Sequence, residues 1–415
     1  MEFPFHTPTR AEMDLAAPAA PAPRARWVNV ALVFACQVAH SLTFVGLALF
    51  LPLVREDLHI TYTQAGVLSA AATLSYAAGQ IPAGFLADRY GARRLFIIGL
   101  LGWSVLSAAL GFVHVYWLAV LTQFVAGMFR ALLFAPGLRL LAAWFPPERG
   151  ATAMSFYMVG AYTGNILLSL VGPSLALAFG WRATFIFFAL LGVCAALAYL
   201  TISRPRPRDG RATPYSIDEA LGLLRHRILW VCGAIQVARF SVVTGFSFWL
   251  PTMLVADRGF SLPTVGLIAA MGAAVSVPGN ALGGYLSDRL NNPPLIIGGS
   301  LAMLAVASLL VVWVPTGAPL LAVVALGCLF IQLYFGPLFH VPVEVLGHRA
   351  SGTATGFGNL FANFGGLLTA YSLGAVKDAT GTFTWGFVGI SVICLLGAAM
   401  SVPLARLRKQ ALARV

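Results

Sequence analysis

Apolar runs of about 20 residues recur along this chain, each long enough to carry an α-helix across ~30 Å of hydrocarbon. In lipid every backbone polar group must be satisfied inside its own segment, so such runs fold as helices. Twelve are counted: residues 28–53, 63–86, 93–113, 115–141, 151–175, 183–202, 228–255, 262–285, 294–314, 319–342, 351–374 and 384–405, spans 1 to 12 below. The composition agrees, with 59% hydrophobic and only 10% charged residues, against about a quarter charged in an ordinary soluble domain. The expected fold class is an all-α polytopic membrane protein with twelve transmembrane helices.

Lys and Arg (26) outnumber Asp and Glu (14), a formal +12, which in a soluble protein would point to a polyanion such as nucleic acid. The placement of the charges excludes that partner. Nineteen basic residues fall in loops and tails on one side of the spans, and four, Arg55, Arg182, Arg258 and Lys377, on the other. Basic loops stay in the cytoplasm, so both termini are expected there, in a multi-pass protein of the cytoplasmic (inner) membrane. Residues 1–26, rich in Pro and Ala, are expected as a disordered cytoplasmic tail without a cleaved signal peptide. Residues 27–202 then form one six-helix bundle and 228–405 a second. The linker 203–227 carries a short surface helix opened by Ser216-Ile-Asp-Glu219, and 406–415 form a basic tail. Cys36, Cys194, Cys232, Cys328 and Cys394 read as small buried hydrophobes. No zinc, phosphate-loop or nucleophile-elbow motif is present, so neither an enzyme nor a bound cofactor or metal is expected.

The loops hide a repeat. Gly84-Phe-Leu-Ala-Asp88-Arg89-Tyr-Gly91-Ala-Arg93-Arg94 follows span 2, and Gly284-Tyr-Leu-Ser-Asp288-Arg289 follows span 8, 200 residues later. The same offset relates Arg149 to Arg349. Two homologous six-span halves are the plan of secondary transporters, with the solute site between them near the midplane. The Gly-x-x-x-Asp-Arg-x-Gly-x-Arg-Arg stretch resembles the signature of the major facilitator superfamily. Trp144-Phe-Pro-Pro-Glu148-Arg149-Gly150 and Gly180-Trp181-Arg182 are similar to it too, so the resemblance covers residues 27–405. It implies the major facilitator fold, a transporter that works as a monomer, and a gating role for these loops. Gly84 is expected to let span 2 approach a neighbour closely, with Asp88 facing the positive end of span 11 and Arg93 pairing with it. Arg94, Gly284, Asp288, Arg289, Glu148, Arg149 and Arg349 complete the expected gate.

Ionisable residues inside a span are costly and mark function. Arg130 lies mid-span 4, on one face with Gln123, and Arg239 in span 7, one turn after Gln236. Subtracting the repeat offset places Arg239 beside His40 of span 1, which shares a face with Gln37. Tyr334 and His340 in span 10, and Asn359 and Asn363 in span 11, complete the candidate substrate-binding set. The superfamily resemblance supports Arg130, Arg239, His40 and the span 10 residues as cavity lining. Intramembrane amides and histidines also serve as helix-to-helix bonds, the competing role for Asn359, Asn363, His40 and His340.

No carboxylate is available at the midplane to neutralise Arg130 and Arg239. Planar guanidinium groups match carboxylate or phosphate bidentately, so the expected solute is a small organic anion. Trp249-Leu-Pro251 and Gly352-Thr-Ala-Thr-Gly356 resemble carriers of sugar acids, other carboxylates and organophosphates. Gln123 stands where many relatives have Arg, and His40 where organophosphate exchangers have Arg, which favours a smaller carboxylate. Importing one negative charge against an inside-negative potential costs about 2.3 kcal/mol per 100 mV, so a co-transported proton or an exchanged counter-anion is needed. His40, His340 and Glu344 are the proton-coupling candidates. The alternatives are an exporter of neutral or lipophilic compounds, using the many aromatic residues, and a transporter-like membrane sensor.

Overall fold

The structure, a computed structural model, describes residues 23–145, 150–203, 222, 225–347 and 351–413. Among them every regular element is a helix and the spans follow in the expected order. Span 1 is Pro23–Asp57, span 2 Tyr62–Tyr90 and span 3 Ala92–Leu110. Span 4 is two segments, Tyr116–Ala131 and Phe134–Ala142. Spans 5 and 6 share the run Gly150–Ile202, interrupted at Gly180 by a φ of 81° that a residue with a Cβ adopts only under strain. Span 7 is Arg227–Thr244, a π-helical turn Gly245–Trp249, and Leu250–Ala256. Spans 8 and 9 are Leu262–Leu290 and Pro293–Trp313. Span 10 is again two segments, Ala318–Leu333 and Phe335–Leu346; span 11 is Ser351–Thr380 and span 12 Thr384–Leu412.

Nine stretches among the described residues are long and apolar enough to cross a membrane, and one of them, Phe156–Ile202, holds two traversals. Their outer faces keep large apolar side chains exposed, Phe179 at 72% and Trp117 at 71%, which suits lipid and would drive aggregation in water. Helix 1 begins at Pro23 and helix 12 runs to Leu412, so both reach into segments expected as tails. The expected surface helix of the linker lies outside the described residues. Of the five cysteines, Cys194 is exposed rather than buried, because its face of span 6 points out of the bundle.

The 200-residue repeat is visible in the backbone. Gly91 (φ 90°) is matched by Asn291 (φ 47°), and His59 (φ 50°) by Gly259 (φ 68°). The second copy of the loop signature has thus lost its glycine but kept a positive φ there, which Asn tolerates in the left-handed conformation. Thr61 caps span 2 through the Gln64 N–H, as Ser261 caps span 8 through Thr264. Spans 4 and 10 break at nearly equivalent places, before Phe134 and before Phe335.

One end of the bundle carries both ends of the described chain; the opposite end is called the far end below. At the far end the halves meet along spans 2 and 11 and spans 5 and 8. A Cβ on Gly66 would collide with the Ala370 carbonyl, and one on Gly266 with the Ser169 carbonyl, so two repeat-related glycines let the backbones touch. Towards the terminus-bearing end, the second segments of spans 4 and 10 pack within their own halves. Gly84 and Gly284 have nothing within 4 Å of a built Cβ. The close approach expected of Gly84 is therefore not made in this conformation; the close approach occurs at the other end of the same helix.

Candidate functional site

Between the halves lies a cavity of about 340 Å³, within the range of small-molecule sites. Its wall draws Thr43 and Phe44 from span 1, Gln123 and Arg130 from span 4, Tyr162 and Asn165 from span 5, and Gln332 and Asn363 from spans 10 and 11. The π-helical turn of span 7 adds Phe246, Ser247 and Phe248. π-turns recur at functional sites because they displace side chains from the helical register.

Arg130 is the positive charge of this wall. It stands at the end of the first segment of span 4, where the negative end of a helix dipole favours a cation. Its guanidinium carbon lies 3.7 Å from the ring centre of Phe44 and 4.2 Å from that of Tyr76. The break behind it is held by Tyr157, whose hydroxyl donates to the Leu133 carbonyl at 3.2 Å. Three of the ten residues expected to bind substrate thus line the cavity: Arg130, Gln123 and Asn363. Asn363 is steadied by donating to the Asn359 carbonyl at 2.8 Å, and Asn359 stays off the wall.

Arg239 sits one layer back. It is 6% exposed, lies 4.5 Å from the Phe335 ring centre, and donates from Nη1 to Gln236 Oε1 at 3.3 Å. Its Nε has no hydrogen-bond partner, nor has the nearby buried hydroxyl of Tyr334. Arg239, Gln236 and Tyr334 form one polar cluster behind Phe240, which does line the cavity. His40 is likewise behind the wall. Its ring stacks on Phe44 at 5.8 Å with an interplanar angle of 6° and lies 5.3 Å from Trp103. Gln37 is buried on the same helix and is not part of the lining.

His340 is exposed on the terminus-side segment of span 10. Glu344 is held by Arg408 of span 12 through two hydrogen bonds of 2.7 Å, and Arg408 also reaches the Asn291 carbonyl at 3.2 Å. That pair staples spans 10 and 12 and keeps Glu344 away from the cavity. Of the expected gate, Arg93 donates to Ser203 Oγ at 3.0 Å and to the Leu200 carbonyl at 2.7 Å, closing the end of span 6. Arg89, Arg94 and Arg289 are exposed. Glu148, Arg149 and Arg349 lie outside the described residues, as do the side chains of Asp88 and Asp288.

The far end contains a seal that the sequence reading missed. Asp378 of span 11 accepts from the Tyr62 N–H at 3.0 Å, the Thr63 N–H at 2.7 Å and the Thr63 hydroxyl at 2.5 Å. Its carboxylate therefore caps span 2 from the opposite half. Burial alone would raise its pKa, but these donors outweigh it and hold the carboxyl below the usual range. Beside it Lys377 pairs with Asp257, and Tyr62 packs edge-on against Phe383 at 5.5 Å. Phe44 and Tyr76 were missed too, since nothing distinguishes them among 29 Phe and 11 Tyr. The i, i+3, i+7 spacing of Tyr162, Asn165 and Ser169 was a usable signal for the lining face of span 5.

A profile of the Major Facilitator Superfamily matches residues 33–370. A probable galactarate/D-glucarate transporter of Bacillus subtilis is 26% identical, covering 89% of this chain and 90% of that protein. A hexuronate transporter of the same organism is 23% identical over 88% and 92%. A probable sulfoacetate transporter of Cupriavidus necator is 27% identical over 86% and 89%. A solved bacterial homolog of the human lysosomal transporter Spinster, inward-facing and unoccupied, superposes with a TM-score of 0.73 at 17% identity, over 94% of this chain and 97% of that one.

Proposed function

Since the chain belongs to the Major Facilitator Superfamily, we propose that it is a secondary transporter moving a small organic anion, a carboxylate or sugar acid, by alternating access. Arg130 is the observation that carries this reading. It is a cavity-wall cation between two aromatic rings, and no carboxylate pairs with it among the described residues. An uncompensated guanidinium in a low-dielectric cavity favours an anion over neutral or cationic solutes. Arg239 adds a second positive charge one layer behind. The relatives named for galactarate, glucarate, hexuronate and sulfoacetate have that chemistry in common: each solute carries at least one anionic oxygen cluster. The amides of Gln123, Gln332, Asn165 and Asn363 suit the hydroxyls of a sugar acid.

The protein acts as a monomer in the bacterial cytoplasmic membrane. The nineteen-to-four asymmetry of basic residues supports a cytoplasmic position for the terminus-bearing end. The sealed far end is then the outside, and the conformation faces inward.

Thermal stabilisation of the purified protein tests the anion reading. Monocarboxylates, dicarboxylates, sugar acids, organophosphates, neutral sugars and lipophilic cations are compared on the wild type and Arg130→Gln. Ligand at 100 times its Kd stabilises by about 2.7 kcal/mol, well within detection. Stabilisation by one anion class that disappears in Arg130→Gln is the expected result. Stabilisation by neutral or cationic compounds, indifferent to Arg130, would overturn it in favour of an exporter.

A further inference from the structure

We infer that His40 carries the coupling proton: each carboxylate that binds at Arg130 is moved together with one proton on the His40 imidazole. This rests on the anion-transport reading above. The first observation is an unmet hydrogen-bonding capacity. His40 is 7% exposed, and neither Nδ1 nor Nε2 has a partner. A neutral imidazole has one donor and one acceptor to satisfy, and leaving both unsatisfied in a buried place is costly. Thr43 Oγ1 accepts from Trp103 Nε1 at 2.7 Å and spends its proton on the His40 backbone carbonyl at 3.1 Å, and it makes no hydrogen bond to the ring. A buried polar group that persists without partners calls for a role.

The second observation is what surrounds it. Phe44 touches both groups, with the His40 ring stacked on it and the Arg130 guanidinium 3.7 Å from its centre. Arg130, from span 4, is the cation that shares the Phe44 ring with His40. Span 3 presents Trp103, while Tyr76 of span 2 and Tyr157 of span 5 stand around Arg130. Among the described residues no carboxylate faces His40. Two cations here without a counter-ion repel each other, and an anion on Arg130 removes that repulsion. Proton and anion therefore bind cooperatively, each strengthening the other's hold. The proton enters on an imidazole lone pair with the arriving anion and leaves when the anion leaves. A monoanion carried this way moves no net charge, which cancels the cost of about 2.3 kcal/mol per 100 mV.

The other intramembrane candidates are placed differently. Glu344 is occupied by Arg408, and His340 is exposed on the terminus-bearing segment of span 10. His40 lies midway along span 1, where a coupling proton must be held.

The test reconstitutes wild type and His40→Asn in liposomes with labelled D-glucuronate. Counterflow is measured at equal pH, and accumulation under a one-unit pH gradient, acid outside, with the membrane potential clamped at zero. One-to-one symport drives about tenfold accumulation under that gradient. Wild type is expected to approach it and to acidify the lumen, read by a trapped pH dye that needs no variant. His40→Asn is expected to keep counterflow, because His40 is behind the cavity wall, and to accumulate nothing above the no-gradient level. Wild-type counterflow without lumenal acidification overturns the inference, as does gradient-driven accumulation in His40→Asn equal to wild type. Loss of counterflow in both His40→Asn and His40→Gln makes the residue part of binding or packing and overturns it too. Absence of wild-type counterflow with glucuronate, galactonate, galactarate and sulfoacetate alike removes the anion-transport reading, and this inference with it.

Discussion

At the scale of single residues the site turns on how two arginines are tolerated without counter-ions. Arg130 has the end of a half-helix, two ring faces and an open cavity; Arg239 has one amide oxygen and a ring, and is 6% exposed. The two should therefore respond differently to replacement. If Arg130 binds the solute as proposed, Arg130→Gln removes a charge-assisted contact worth about 1.5–3 kcal/mol and should weaken binding by roughly 10- to 150-fold in a ligand-induced thermal shift. Arg130→Lys keeps the charge but loses the planar face between Phe44 and Tyr76, so it should recover only part of that affinity. Arg239→Met replaces a poorly satisfied buried charge by an apolar side chain of similar length. Its melting temperature without ligand should equal or exceed the wild-type value while counterflow falls, as expected where function retains an electrostatically costly group. A melting temperature well below wild type would instead make Arg239 a structural tie. Both arginines were legible in the sequence because a charge inside a 20-residue apolar run stands out. Their depth was not, because the rotation of each helix about its axis is fixed by packing partners, here Phe335 for one and Phe44 with Tyr76 for the other. The pairing of Glu344 with Arg408 was hidden for the same reason, since it joins helix ends 64 residues apart.

At the scale of elements, spans 2 and 11 form one of the two seams that join the halves. Span 11 runs to Thr380, past the residue 374 expected of it; the presence of both helices was legible from their runs, and the loop signature marked one end of span 2. The seal at the other end was not, because Asp378 has no motif around it and acts on a backbone 315 and 316 residues away. Asp378→Asn keeps the shape but weakens the cap on span 2, and should raise the fraction of molecules open at the far end. Labelling of a cysteine introduced on the far-side wall, for instance at Ser69, measures that fraction; unchanged labelling would reduce the cap to an incidental contact. The pH dependence has a definite sign. A carboxyl whose pKa is lowered in the sealed state stabilises that state above its open-state value, about 3.9, and loses this as pH falls through the lowered value. The seal should therefore be constant from pH 8 to pH 5 and weaken only below the ordinary carboxylate range. Any change of transport between pH 5 and 8 must then come from another group.

At the scale of the whole molecule, the repeat supplies more than a topology. Gly66 and Gly266 sit at equivalent places in the halves, and each brings a helix of its own half onto the backbone of the other, span 2 onto span 11 and span 8 onto span 5. The far end is thus closed by two related seams, with the cavity beneath them. A rocking of one half against the other must part both seams together, so damage to either should act on the same equilibrium. Gly66→Leu and Gly266→Leu each place side-chain atoms where a carbonyl now lies, and each should shift the population toward the far-end-open state. In the double variant the shift should approach the sum of the two free energies if the seams part as one rigid-body motion. Labelling at Ser69, with ligand-induced stabilisation as a check on folding, gives the three populations. If either single variant leaves labelling at the wild-type level while the other opens the far end, the seams move independently and rigid-body rocking fails for this chain. If both shift it and their effects add, the two halves move as bodies, and His40 and Arg130, which belong to the same half, keep their mutual distance while the cavity changes sides. A proton and an anion that favour each other only at that distance could then cross together without either being released early.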